Sequence, residues 1–295
     1  MRFKDVVAQI VRADPSLRDT GAQLTTLHNE GERIHFGTFF EPVSAMVVDK
    51  KGQHELLDVS AQQLTSWTQH ISTSTVCRMR ALEEPILANL LAGGTLAALV
   101  LLRSHFEAAS MAAYCLEQLT AAARQNRPSA LSKLIPMMLF GTSLKKHRDK
   151  VSVADLLTLC EGDTVRICGA VESLDKFYFQ ETAEGKLAVV YSLLCEFAHP
   201  NHRGVLEFMK SVQVDGGWRI SYANEEPPNP KMQVHALETL LVSMRGGYAA
   251  AALLRYWRFS ELEGEGVGWH RPTATDGDRV WVNLLQRELG GDAIS

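Results

Sequence analysis

Cysteine is scarce and poorly placed for chemistry. The 295 residues hold five, at positions 77, 115, 160, 168 and 195. The count is odd, no Cys-x-x-Cys pair occurs and no His–Cys metal spacing accompanies them, which argues against a disulfide scaffold and a structural zinc site. Reduced core thiols in a cytoplasmic protein are the expectation. An excess of one charge is lacking as well. Thirty Lys and Arg face thirty-four Asp and Glu, for a net charge of −4 and a pI near 6.2. A chain-wide electrostatic case for nucleic acid or anionic membrane therefore fails, and any such contact has to come from a local patch. With 21 glycines and 10 prolines, both near ordinary usage, collagen and low-complexity chains are excluded.

Signatures of several large enzyme classes are also missing. There is no G-x-x-x-x-G-K-[ST], no G-x-G-x-x-G after a strand, no H-E-x-x-H and no G-x-S-x-G, so no cofactor is expected. GEGVG at 264–268 is glycine spacing in an acidic loop. The N-terminal MRFKDVVAQIVRADPS carries Lys4, Asp5 and Arg12 where a signal peptide needs an apolar run. One uncharged stretch, PILANLLAGGTLAALVLL from Pro85 to Leu102, is long enough to imitate a membrane span. It holds Asn89, Gly93 and Gly94 and runs on into the polar-striped RSHFEAASMAAY, so it reads as a buried core helix and no membrane association is expected.

What is present is apolar residue, 46% of the chain, ample for one large core or a core plus an appendage. Residues 1–20 read as a short amphipathic helix ended by Asp14-Pro15, and 33–50 fit neither helical nor strand period. Helical signal strengthens over 60–84 and continues in an apolar run from 86 to about 124, whose only charges from 85 to 123 are Arg103, Glu107 and Glu117. Such a helix belongs in the middle of a bundle. LSKLIPMMLF, with Pro136, reads as a kinked helix; the basic KKHRDK at 145–150 precedes a short helix at 152–160. Two helices fit 163–199, the second halted by Pro200. SVQVDGGWRISYA alternates on both sides of Asp215-Gly216-Gly217, a β-hairpin, and 230–257 forms a last long helix with a weak point at Gly246-Gly247. The expected fold is mainly α, a helical bundle with one small β-hairpin near 208–223. Its parts are an N-terminal segment of mixed character (1–59), the bundle with the hairpin as an insert (60–258), and a C-terminal loop with a short helix, VWVNLLQREL (259–295).

Two helices carry polar residues where the pattern asks for apolar ones. Arg103, Glu107, Ser110 and Tyr114 follow at spacings of four, three and four, one continuous face. An Arg and a Glu inside an apolar helix need partners, because stranding either charge is costly, and at i, i+4 they can pair with each other. On the other helix Ser192, Cys195, Glu196 and His199 share a sector flanked by Tyr191, with His199 in the last turn, where the helix dipole favours its protonated form. If the faces meet, Arg103, Glu107, Tyr191, Glu196 and His199 form one buried charged cluster. That cluster reads either as a hydrogen-bond network fixing helix register or as a polar cavity for phosphate binding or acid–base work. Glu196-x-x-His199 also has the spacing that di-iron bundles use, but a second copy is absent and Pro200 separates His199 from His202.

LLRSHFEAASMAAYCL and, about eighty residues later, YSLLCEFAHPNHRG together resemble a widespread group of bacterial helical proteins related to the HEPN superfamily. The pattern is Arg-x-x-x-Glu on one core helix and Tyr-x-x-Leu-[Ser/Cys]-x-x-x-His-Pro on another, matched by Arg103, Glu107, Tyr191 and His199 within residues 85–204. The resemblance implies a helical bundle, commonly a homodimer, of a type often found in RNA-cleaving toxins and defence proteins. In a ribonuclease of that kind His199 would be general acid or base, Arg103 would stabilise the phosphorane charge, and Glu107 would hold Arg103. HEPN ribonucleases carry Arg, four to six residues, then His; none of the ten histidines here has an Arg at that distance upstream, and Arg203 follows His199. RNA binding or cleavage is thus one expectation. A non-catalytic interaction protein with a purely structural cluster is the competing one, and a metal-dependent enzyme using Glu107, Glu196 and His199 is a third.

Overall fold

The computed structural model describes residues 2–33, 46–48, 54–56, 61–124, 166–179, 185–198, 209–222, 229–261 and 267–270. The expected helices in LSKLIPMMLF, at 152–160 and in VWVNLLQREL, the basic run 145–150, and His199 and His202 lie outside them. The fold is mainly helical. The described helices are α1 (Phe3–Ala13), α2 (Arg18–Arg33), α3 (Ala61–Leu91), α4 (Thr95–Arg124), α5 (Ile167–Phe179), α6 (Lys186–Ala198) and α7 (Pro230–Tyr256).

The apolar run around α4 sits where its composition requires, in the centre. It packs against α3, α5, α6 and α7, with Leu102, Phe106, Ala109, Ala112 and Leu119 fully buried. By length and composition Thr95–Ala122 could cross a membrane, and 56% of its most apolar window is buried among the other helices. The uncharged stretch from Pro85 to Leu102 is not one helix. α3 runs through Pro85 to Leu91, and the break falls at Gly93, whose φ of 83° closes the helix. Gly94 N–H then bonds the Asn89 carbonyl at 2.8 Å, and Gly93 N–H bonds that of Leu90 at 3.2 Å. Proline removes one backbone donor without ending the helix, and Asn89 Nδ2 bonds the Pro85 carbonyl at 2.8 Å.

Asp14-Pro15 ends α1, but the chain resumes helix at Arg18. α2 has few apolar residues in RDTGAQLTTLHNEGER, so its periodicity is faint; it forms because Leu24 and Leu27 bury into the same core as Phe3, Val6 and Val7 of α1. α7 starts at Asn229, whose side chain accepts the Met232 N–H at 3.2 Å, with Pro230 in the first turn. Gly246-Gly247 is no weak point. The helix is continuous there, and a β-carbon at 247 would stand 2.6 Å from Met79 Cε and 2.7 Å from Ala109 Cβ, so the glycine lets α7 lie directly on α3 and α4.

The hairpin is β3 (Met209–Val214) and β4 (Gly217–Tyr222), antiparallel, with Val212 opposite Arg219 and a turn at Asp215-Gly216. Side chains from 211 to 221 are exposed on both its faces, including Trp218 at 64% and Ile220 at 54%. Two further short antiparallel pairs occur that the sequence pattern did not reveal. These are β1 (Met46–Val48) with β2 (His54–Leu56), and β5 (Arg258–Glu261) with β6 (Val267–His270). Strands of three or four residues are too short to display a period.

Candidate functional site

Of the two polar stripes, Arg103 and Glu107 of α4 meet only Tyr191, the residue flanking the α6 stripe, where α4 crosses α6; Ser192 and Glu196 are exposed. The start of α6 is fixed from α5: the buried Asp175 accepts the Leu187 N–H at 2.9 Å, a cross-helix cap that serves the otherwise unpaired first turn. One turn later Tyr191 points into the core, stacked on Phe106 with ring centroids 6.3 Å apart. Its hydroxyl donates to Glu107 Oε1 at 3.0 Å, and Arg103 Nε donates to the same oxygen at 3.0 Å. The guanidinium carbon lies 5.8 Å from the Tyr191 ring centroid, within range of a cation–π attraction. Arg103, Glu107 and Tyr191 therefore form one triad joining two helices.

The triad borders solvent rather than lying sealed in the core. Arg103 is 25% exposed and Glu107 22%, while Tyr191 is buried. Burial opposes the charge on Arg103, but Tyr191, Cys195 and Glu107 outweigh it and raise the guanidinium pKa. Burial and the neighbouring Cys195 and Glu107 push the Tyr191 phenol well above its ordinary value, so it stays a donor. Glu196 faces solvent on α6, and His199 lies beyond the described end of that helix. Tyr114 is half-buried, its phenol raised by burial and by Glu117. Ser110 turns back onto its own helix, donating to the Phe106 carbonyl at 2.8 Å. Among the described residues no group of three His, Cys, Asp or Glu side chains could hold a metal ion.

A second polar cluster escaped the sequence reading. Glu83 of α3 is fully buried, and His28 Nδ1 on α2 donates to its Oε2 at 2.6 Å. The Tyr248 hydroxyl of α7 donates to Oε1, and His105 Nε2 of α4 stands 3.7 Å from that oxygen without a hydrogen bond. His105 Nδ1 meets Ser243 Oγ at 2.7 Å. Burial alone would raise the Glu83 carboxyl; His105, His28 and Tyr248 outweigh it and hold the group at about 2. The His28 ring stacks on Phe3 at 3.9 Å, and Arg80 clamps the same turn through the His28 carbonyl at 3.1 Å and Glu32 at 2.8 Å.

Ser243, His105 and Glu83 stand in the order hydroxyl, imidazole, carboxylate that hydrolytic sites use. All three are fully buried, so no substrate reaches the hydroxyl, and the cluster acts as a polar pin through four helices. A signal for it existed. Val76, Met79, Glu83, Ile86 and Leu90 share one stripe of α3, and Leu102, His105, Ala109 and Ala112 share one of α4, so both polar residues occupy core positions.

Compared with known proteins, the chain matches no protein-family model, no curated protein and no solved structure.

Proposed function

We propose that the protein acts on RNA at the junction of α4 and α6, as a cytoplasmic homodimer of HEPN-like type. One observation carries the reading: Arg103 is held at the protein surface by a carboxylate that Tyr191 holds in turn. A guanidinium fixed this way and open to water is preorganised to meet a phosphate, because no rotamer freedom has to be lost on binding. In this reading Arg103 stabilises charge on the phosphorane, Glu107 and Tyr191 position it, and His199, the next residue after α6, transfers the proton. The net charge of −4 makes the expected contact local, with a shallow dependence on salt.

The test is cleavage of a panel of single-stranded and structured RNAs by wild type, Arg103→Ala and His199→Ala, with melts in parallel. Cleavage by wild type, lost in both variants with His199→Ala melting as wild type does, supports the proposal. A wild type that neither binds nor cuts any RNA rejects it. The competing reading is a non-catalytic bundle whose triad only fixes helix register, and the burial of Tyr191 against Phe106 favours it. Under that reading an early-melting His199→Ala comes from a wild type inert on RNA.

A further inference from the structure

We propose that the β3–β4 hairpin is a docking arm for single-stranded RNA, with Trp218 as the plate on which a base stacks. The hairpin stands off the bundle. Among the described elements its strands make more than marginal contact only with each other, and its side chains from 211 to 221 are exposed. Cross-strand partners share a face of an antiparallel pair, which sorts these side chains into two sets. Trp218 stands opposite Gln213 and Ile220 opposite Ser211 on one face, whereas Arg219 stands opposite Val212 on the other. The first face thus presents an indole and an aliphatic group, each beside a side chain that hydrogen-bonds. A lone two-stranded hairpin is marginally stable in water, so a surface built this way gains from being covered.

Size and charge decide what covers it. Two strands of six residues make a face about 10 Å wide and about 20 Å long. That falls well short of the ~800 Å² per partner that a stable protein interface buries, but it fits an extended chain one residue wide. Charge complementarity selects a polyanion. Positions 209–222 hold Lys210 and Arg219 against Asp215, a local charge of +1 in a chain of −4. Arg219 is exposed and has no ion pair among the described residues. Both strands are edges, so Arg219 meets a phosphate backbone along the rim while bases lie on Trp218 and Ile220. Gln213 and Ser211 supply donors and acceptors for the base edges. That the strand is RNA rests on the reading given above. Ala198, the end of α6, and Met209 are eleven positions apart, at most about 40 Å of chain. A strand at the long end of the roughly 4–16 nucleotides that such sites hold can therefore engage triad and hairpin together.

The experiment titrates the full chain against a labelled, unstructured 2′-fluoro RNA of about 12 nucleotides, a length within such sites, and reads fluorescence anisotropy. The probe cannot be cut through its 2′ oxygen, so binding is read apart from cleavage. Trp218→Leu should weaken binding at least about tenfold while melting as wild type does, and Trp218→Phe should restore most of it. Arg219→Gln should lower the slope of log affinity against log salt by about 0.7, the share of one phosphate contact. A duplex of the same sequence should bind more weakly, because its bases are already stacked. Unchanged binding by a folded Trp218→Leu overturns the proposal, as does a wild type that holds the duplex equally well or binds no RNA. Tighter binding of a single-stranded DNA of the same sequence overturns the RNA assignment. Should Trp218→Leu melt early, the salt slope of Arg219→Gln decides, and an unchanged slope rejects the arm. Trp218-dependent binding by a wild type that cuts no natural RNA leaves the arm standing and rejects cleavage at the triad. A wild-type dimer that Trp218→Leu dissociates in sedimentation gives the face to a second copy and overturns the proposal.

Discussion

His28 Nδ1 meets the fully buried Glu83 carboxylate at 2.6 Å, joining α2 to the middle of the bundle across 55 positions of sequence. The contact explains how a helix as polar as α2 stays docked. Its two core leucines contribute apolar burial, and the His28–Glu83 hydrogen bond fixes the register in which they sit. Because Glu83 has no water to fall back on, losing its partners is costly.

That sets the acid behaviour of the fold. Glu83 titrates near 4.5 when free and at about 2 in the folded chain, so its folded value is depressed. Its contribution is complete above the free value and lost as pH falls through the folded one. Stability should therefore drop between pH 4.5 and 2, by on the order of 3 kcal/mol from this group. Urea melts at stepped pH on wild type and Glu83→Gln check it: the variant should be less stable at pH 7 and flatter across the acid range. Parallel acid profiles would show that Glu83 does not govern the loss.

Gly31 lies against the Tyr248 ring, where a β-carbon would stand 2.6 Å from Cζ. The ring cannot withdraw, since its hydroxyl is tied to Glu83. Gly31→Ala should cost about 1–3 kcal/mol of overpacking, against a helix-propensity gain of about 1 kcal/mol. A lower melting temperature is expected; a rise would mean that α2 moves freely over α7.

Tyr191 does two separable things. Tyr191→Phe deletes only the donor to Glu107 and should cost about 1 kcal/mol, whereas Tyr191→Ala also removes the ring from Phe106 and should cost about 3–5 kcal/mol. Chemical denaturation of both variants measures the difference. Equal losses would mean that the hydroxyl, not the packing, joins α4 to α6.

The hairpin gives the opposite forecast. Trp218 and Ile220 are exposed, so Trp218→Ser with Ile220→Thr should leave global stability within about 0.5 kcal/mol of wild type. A larger fall in thermal melts would show that the hairpin packs on the bundle.

Much of the architecture was legible along the chain. α4 announced itself by thirty residues nearly free of charge, and the hairpin by alternation around Asp215-Gly216. Arg103 and Glu107 could be paired from sequence because a helix brings i and i+4 together wherever it sits. α2 was hidden by its polar composition, and the helix boundary near Pro85 was misplaced because proline signals a break that Gly93-Gly94 makes instead.

Local periodicity, then, was determined by the sequence itself: which stretches are helical, which face of each is apolar, and which polar residues interrupt that face. These are consequences of 3.6 residues per turn and need no partner helix. Only the tertiary structure decided the company each polar residue keeps. Arg103 and Glu107, expected in a buried charged cluster with Glu196 and His199, came out paired with Tyr191 at a solvent edge, while Glu83 and His105 came out buried with His28, Tyr248 and Ser243. The physical reason is that a buried charge must find its partners, and those partners arrive from four helices whose packing no single helix specifies.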